Sequence, residues 1–438
     1  MRKNIIKIMM VSVVVGVFIF VGCEDKNNLN SPAPPNTGNV SFSSFVTLGN
    51  SLTAGYQSGA LFQSAQQYSF GNQMATLVGA KFDQPLCSDP GLGTRIELAS
   101  VSPFALKYNT AQGQPINIGL PTPYNNLGVP GAFVYDILNA TATANSYTAQ
   151  AHVMNPLFDV ILRGKGSEFQ QAKAQHPTLV SCWIGANDVL GYATSGGINP
   201  LTDAATFGYL YGKLADSLAS LQTKVVVATI PTVTSIPYFT TVPAALRDPT
   251  SGAIIQLYGQ TTSGVRALVP GQDLLTLPAA TVLLNASGAP TGVGLSPSNP
   301  IPNQYVLDKD EVAKVVAAIS AYNQIITAAA SAKGFALVDV FSIFNNIAAN
   351  GISVDGLKLT TTFGTGGLFS LDGVHPTSVG YGVVANEFIK SINTKFGSTI
   401  PRINVSTIPG SIVLSKQFKI SKYGIPIIPP GALDHVLF

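Results

Sequence analysis

Charged residues make up only 10% of this 438-residue chain, and the 24 Lys and Arg against 21 Asp and Glu leave a formal net charge of +3. The basic residues are scattered rather than clustered, so an electrostatic nucleic-acid partner is excluded. Histidine is equally sparse. His152, His176, His375 and His435 are far apart and fall in no paired ligand spacing, which leaves no zinc site. Of the three cysteines, Cys87 and Cys182 could form one bridge. Cys182 sits in an apolar strand-like run and Cys87 in a Pro/Gly-rich segment, which favours two free thiols, the former as a small buried apolar residue. No internal repeat is present. In place of charge the chain has 46% apolar residues, 42 glycines and 29 prolines, the composition of a large core beneath a loop-rich, uncharged surface. Its length could hold two or three average domains, although single α/β domains with insertions reach this size.

The N-terminus carries an address. Arg2, Lys3 and Lys7 precede an apolar run over residues 8–21, about 14 residues, too short to span a membrane, which takes roughly 20. Phe20-Val21-Gly22-Cys23 closes it in the manner of a bacterial lipobox. The alternative is an ordinary signal peptide with a chance cysteine, but the cysteine falls where the apolar run ends. The expectation is an exported lipoprotein: signal peptide over 1–22, a lipidated Cys23, and a polar, Pro-rich tether over 23–40. It would be held at the cell envelope by a lipid anchor, in the outer membrane.

From residue 41 to 395 short β-branched runs alternate with amphipathic stretches. Strands are expected over 45–48, 178–184, 224–230 and 335–340; helices over 203–221 and 309–333, the second with an acidic start and a Gly334 stop. That alternation implies βαβ units and an α/β fold, a single doubly wound, flavodoxin-like, mainly parallel sheet with helices on both faces. Two Pro/Gly-rich insertions, about 81–125 and 231–308, interrupt it as lids, binding loops or, for the second, a small subdomain. The segment 396–438 reads as an extended tail along the surface. A membrane β-barrel is disfavoured: the 42 residues after Phe396 are fewer than eight strands of about nine residues need.

Four stretches carry polar residues where an apolar pattern stops. In Gly49-Asn50-Ser51-Leu52 the chain must turn out of a strand, which would expose Ser51 at the sheet's rim. Asn126-Leu-Gly-Val-Pro-Gly131 precedes an expected helix over 132–138, whose amino terminus would offer N–H groups to an anion. Gly185-Ala-Asn187-Asp188 ends a strand; Asn187 can donate to a developing oxyanion, and Asp188 is expected mainly to cap a helix. In Asp372-Gly-Val-His375 an acid three residues before a histidine can bond one ring nitrogen and leave the other free. Each stretch alone could be a plain turn or cap.

Together, and in this order, they resemble the SGNH hydrolases, the GDSL-type esterases and lipases, over roughly residues 42–395. The resemblance implies Ser51 as nucleophile, His375 as base and Asp372 as the group that holds the imidazole. It implies an oxyanion hole from the Ser51 N–H, the Gly131 N–H and the Asn187 side chain. It implies acyl transfer from a small-molecule, lipid or glycan ester to water, with no metal or organic cofactor. Asn50 departs from the family's usual aspartate: it keeps the shape and an acceptor oxygen but removes a charge beside the nucleophile. The alternative function is a non-catalytic lipoprotein of the same fold that binds a glycan or lipid in the crevice. Tyr238, Phe239, Tyr258 and Phe363 are either an acyl pocket or ordinary packing.

Overall fold

The computed structural model describes residues 35–101, 104–409 and 421–428; the expected signal peptide, Cys23 and most of the tether lie outside them. In chain order the elements that frame the site are β1 (Phe45–Gly49), α1 (Ser51–Ala54), α2 (Phe70–Leu77), α3 (Asp136–Asn139), α4 (Glu168–Ala174), β2 (Leu179–Trp183), α5 (Asn187–Thr194), α6 (Ala204–Ser220), β3 (Lys224–Ala228), α7 (Lys309–Lys333), β4 (Ala336–Val338), α8 (Val340–Asn350) and α9 (Ser378–Phe396).

The four strands form one parallel sheet in the order β1-β2-β3-β4, with Phe45 opposite Leu179 and Gly49 opposite Trp183. On the free side of β1 runs a further segment, residues 125–129. The Thr47 N–H donates to Asn125 O at 2.8 Å, Leu127 N–H to Thr47 O at 2.9 Å and Val129 N–H to Gly49 O at 2.9 Å, a parallel pairing. Counted as an edge strand, it makes the order by chain position 2-1-3-4-5, the flavodoxin-like doubly wound order. Too short and polar to read as a strand in the sequence, it completes the expected sheet.

Successive strand residues point to opposite faces, and each face has its own apolar layer. Phe45, Leu179, Val226 and Val338 pack against Phe70 and Met74 of α2 and Phe388 and Ile392 of α9. Val46, Leu48, Val180, Cys182, Val225 and Val227 pack on the other face with Phe207 and Leu214 of α6 and Ile319 and Tyr322 of α7. Helices on both faces are what a buried parallel sheet requires. Helix limits follow local chemistry. Asp203 caps α6 by accepting from the Ala205 and Thr206 N–H groups. Asp308 and Glu311 form a reciprocal capping box on α7, which Gly334 ends at φ +72°. α7 is long and apolar enough to cross a membrane by composition alone, yet its Val315, Ile319, Tyr322 and Ile326 are core residues.

The expected helix over 132–138 is corrected. Only Asp136–Asn139 is helical, because the preceding amides bond elsewhere: Ala132 N–H to Val129 O, Phe133 N–H to the Asp136 carboxyl and Val134 N–H to the Asp188 carboxyl. In the first insertion Arg95–Val101 pairs antiparallel with Phe104–Asn109. The second holds three short antiparallel pairs and sends Leu246, Leu257, Leu275, Ile301 and Leu307 into the same apolar cluster as α6 and α7. After α9, Ile400, Val405 and Ile408 are buried, and Arg402 grips Asp355 through both guanidinium nitrogens. Cys87 and Cys182 are buried free thiols.

Candidate active site

β1, β2 and the 125–129 segment all deliver polar residues at their carboxyl ends, the crevice where open α/β sheets bind ligands. At the end of β1, Gly49 has φ +149°, and a Cβ there would stand 2.3 Å from Trp183 O and 2.4 Å from Thr53 Oγ1. Only glycine lets the chain leave the sheet this tightly. Asn50 then caps the one-turn α1, its Oδ1 accepting the Leu52 N–H at 3.1 Å, so the neutral residue does the turn's work with its oxygen alone. Ser51 is the first residue of that turn, 4% exposed. Tyr381 of α9 donates to Tyr56 O at 2.9 Å and holds the turn from behind.

His375 lies on the loop before α9, 1% exposed, its Nδ1 2.9 Å from Asp372 Oδ2. Asp372 is fully buried and accepts further bonds from the backbone N–H groups of Val374 and His375, both at 2.9 Å, from Gly59 N–H at 3.1 Å and from Ser370 Oγ at 3.0 Å. Burial pushes its pKa up, but the imidazole and these donors outweigh burial and hold the carboxyl below the ordinary aspartate value. A carboxylate has only acceptors, so the Nδ1 carries the proton and the Nε2 the lone pair. The Tyr56 ring packs 4.9 Å from the imidazole.

The loop between residues 129 and 134 is held at nearly every polar atom. Asn155 Nδ2 donates to Pro130 O at 2.7 Å and Asn187 Nδ2 to Ala132 O at 2.8 Å; Asp136 takes the Phe133 N–H at 2.8 Å and Asp188 the Val134 N–H at 3.0 Å. Gly131 takes φ +82° in the middle of it. Among the described residues neither the Gly131 N–H nor the Ser51 N–H has a partner. Asp188 is not the expected helix cap: Ala186 occupies the cap position of α5, and the Asp188 side chain reaches across to the loop instead.

Three buried acids back this loop. Burial raises the carboxyls of Asp136 and Asp188 to about 7 each, against the pull of the backbone amides they accept. Burial lifts Glu168, at the start of α4, well above its ordinary value even though its Oε2 accepts the Gly49 N–H at 2.8 Å, and Asp136 adds to the rise. The other Glu168 oxygen is buried without a partner.

Ser51, Asn187 and His375 line one cavity of about 110 Å³, with Trp183, Phe344 and Phe369 among its walls. Asp372 stands behind His375, and Gly131 adjoins the Ala132 carbonyl that Asn187 holds. Tyr238 and Phe239 are buried in the core, and neither they nor Tyr258 and Phe363 line this cavity. A further cavity of about 290 Å³ is lined by Tyr56, Thr94, Gln112, Met154, Asn155 and Leu157.

Residues 45–388 match the family described as GDSL-like Lipase/Acylhydrolase. The chain belongs to this family. As a member of the GDSL family it is a hydrolase of ester substrates. No curated protein matches the chain. Solved structures similar to it include LAE5, an alpha/beta hydrolase enzyme from the metagenome of Lake Arreo, Spain, at 12% identity and TM-score 0.35, covering 80% of this chain and 95% of that one. A mutant of Axe2, an acetyl-xylooligosaccharide esterase from Geobacillus stearmophilus, is similar at 12% identity and TM-score 0.36, with 81% and 95% covered. A GDSL-like lipase from Parabacteroides merdae is similar at 12% identity and TM-score 0.34, with 82% and 98% covered. At that similarity these structures decide nothing about this hydrolase's substrate.

Several residues of the GDSL site carry no signal in the sequence. Phe344 and Phe369 reach the cavity from α8 and from the loop before His375. Glu168 meets Gly49 across 119 residues of chain, and Asn155 meets Pro130 from an irregular stretch. Only the acidic Asp136 beside the Gly131 motif was near enough to suggest a role.

Proposed function

We propose that this hydrolase is an exported, lipid-anchored serine ester hydrolase that works through an acyl-serine intermediate. The observation that carries the reading is the buried Asp372–His375 pair, with His375 lining the same cavity as Ser51. In this mechanism His375 Nε2 takes the Ser51 hydroxyl proton as Oγ attacks the ester carbonyl carbon. The oxygen of the tetrahedral intermediate receives the Ser51 and Gly131 N–H groups and the second Asn187 amide hydrogen, the first being engaged by Ala132 O. The intermediate collapses, the C–O bond to the alcohol breaks, and His375 returns its proton to the departing oxygen. Water, deprotonated by the same nitrogen, then attacks the acyl carbon; the bond to Ser51 Oγ breaks, His375 returns the proton to that oxygen, and the acid departs. Asp372 stays ionised throughout and stabilises the imidazolium.

The experiment is hydrolysis of a short-chain aryl ester by the wild type and Ser51→Ala, with a serine-directed phosphonate as second probe. The expected result is loss of nearly all turnover in the variant and stoichiometric labelling of Ser51 in the wild type. Unchanged turnover in Ser51→Ala overturns the assignment, and a wild type inert to the phosphonate favours the binding lipoprotein instead. Lipidation at Cys23 is tested by metabolic labelling with a fatty acid, which Cys23→Ser should abolish, and anchoring in the outer membrane by recovery of the labelled protein in that membrane fraction.

A further inference from the structure

The cavity at Ser51 does not end beside the nucleophile. Val340, Phe344, Phe369, Pro376 and Val384 line both that cavity and a second one of about 80 Å³, so the two form one continuous groove. α8 and α9 are its walls. Val340, Ile343, Phe344 and Ile347 recur at i, i+3, i+4 and i+7, the spacing that places four side chains on one helix face. Val383 and Val384 of α9 also line the groove, whose lining includes Leu368. The second cavity is lined by apolar side chains, Pro376 and Gly380, with a single charged residue, Glu387.

We propose that this groove holds the acyl chain of the ester, a straight aliphatic chain of about eight carbons, and that Val384 and Ile343 set how far it reaches. The proposal rests on the serine-hydrolase reading above. In that reading the acyl part stays bonded to Ser51 while the alcohol departs and water enters. An apolar groove continuous with the nucleophile suits the part that stays. The length follows from α8: from Val340 to Ile347 the helix advances about 10 Å at 1.5 Å per residue. An extended chain advances about 1.2 Å per bond, which makes the run about eight bonds. Each methylene taken from water into such a groove is worth about fourfold in kcat/KM, the factor equivalent to ~0.8 kcal/mol.

The test measures kcat/KM of the full-length protein on p-nitrophenyl esters from acetyl to palmitoyl, beside a series of acetate esters of straight-chain alcohols. The proposal expects a rise of severalfold per methylene to an optimum near octanoyl and a weak dependence in the alcohol series. Val384→Trp, at the junction of the two cavities, should lower the octanoyl-to-acetyl ratio by about 10²-fold, the loss from excluding about four methylenes. Ile343→Trp, in the second cavity, should move the optimum less. Both sites are half-buried, so neither change inserts a ring into the sealed core. A flat acyl profile, an optimum unmoved in both variants, or a chain-length dependence confined to the alcohol series overturns the proposal. Failure of the underlying reading looks different: no Ser51-dependent hydrolysis in either series at any length, which overturns both together.

Discussion

Replacing Asp188 by asparagine should make this protein more stable at alkaline pH and leave it nearly unchanged near pH 3.5. The Asp188 carboxyl is fully buried and accepts the Val134 N–H at 3.0 Å. Burial raises its pKa, that hydrogen bond lowers it in part, and nearby Asp136 raises it again, from 3.8 to about 7. Between those two values the folded protein holds a proton that the unfolded chain has lost. Stability is therefore greatest below the unfolded value and falls as pH rises through about 7. A rise of about three units at 1.36 kcal/mol each amounts to ~4 kcal/mol for full ionisation. Asparagine keeps an oxygen for the Val134 N–H and carries no charge to bury. With an unfolding entropy of about 2.1 cal/mol/K per residue over roughly 400 residues, ~4 kcal/mol corresponds to about 5 °C in Tm. Scanning calorimetry on wild type and Asp188→Asn from pH 3.5 to 8.5 reads this directly. The variant should match the wild type near pH 3.5, below the unfolded value, and exceed it by about 5 °C at pH 8.5. Asp136 titrates in the same range and acts on Asp188, and burial raises Glu168 and Glu311 as well, so the remaining slope of the variant belongs to those three carboxyls together. A gap between the two proteins that is the same at both pH values refutes the reasoning.

Two further changes probe the site. Asn187→Ala removes a side-chain donor and the hold on Ala132 O; kcat should fall by about 10²- to 10³-fold with little change in KM. A loss of less than tenfold in steady-state assays would show that Asn187 donates nothing to the transition state. Gly49→Ala places a methyl 2.3 Å from Trp183 O at a φ of +149°, so the backbone between β1 and Ser51 must move. Strain and overpacking together cost about 2–5 kcal/mol, seen as a lower denaturation midpoint; an unchanged midpoint would contradict the close approach.

Local signals were readable wherever a structural decision is made within a few residues. α7 runs from Lys309 to Lys333 as its acidic start and Gly334 imply, because the capping box and the left-handed glycine act within one turn of the ends. The strand at 45–48 extends one residue to Gly49, and the helix expected over 203–221 loses only its cap, Asp203, and its last residue. The helix expected after Gly131 failed for the complementary reason. Its amides are claimed by Asp136 and by Asp188, the latter 54 residues away, and no periodicity in residues 132–138 records that competition. The aromatics weighed as an acyl pocket failed likewise: Tyr238 and Phe239 pack inward, none of the four lines the cavity, and its aromatic walls Trp183, Phe344 and Phe369 come from other parts of the chain.

By itself the sequence determined the α/β alternation, the family motifs and the turn that carries Ser51, since glycine conformation, capping and hydrophobic period are properties of neighbouring residues. It also determined that Asn50 could replace a charged residue there, the cap needing only an oxygen. Tertiary structure alone decided that residues 125–129 become the edge of the sheet and that Glu168 closes over Gly49. It alone made α8 and α9 the two walls of one groove. Those pairings join residues from about 40 to 119 positions apart, and what selects them is the burial of whole faces against one another, which no short stretch of chain encodes.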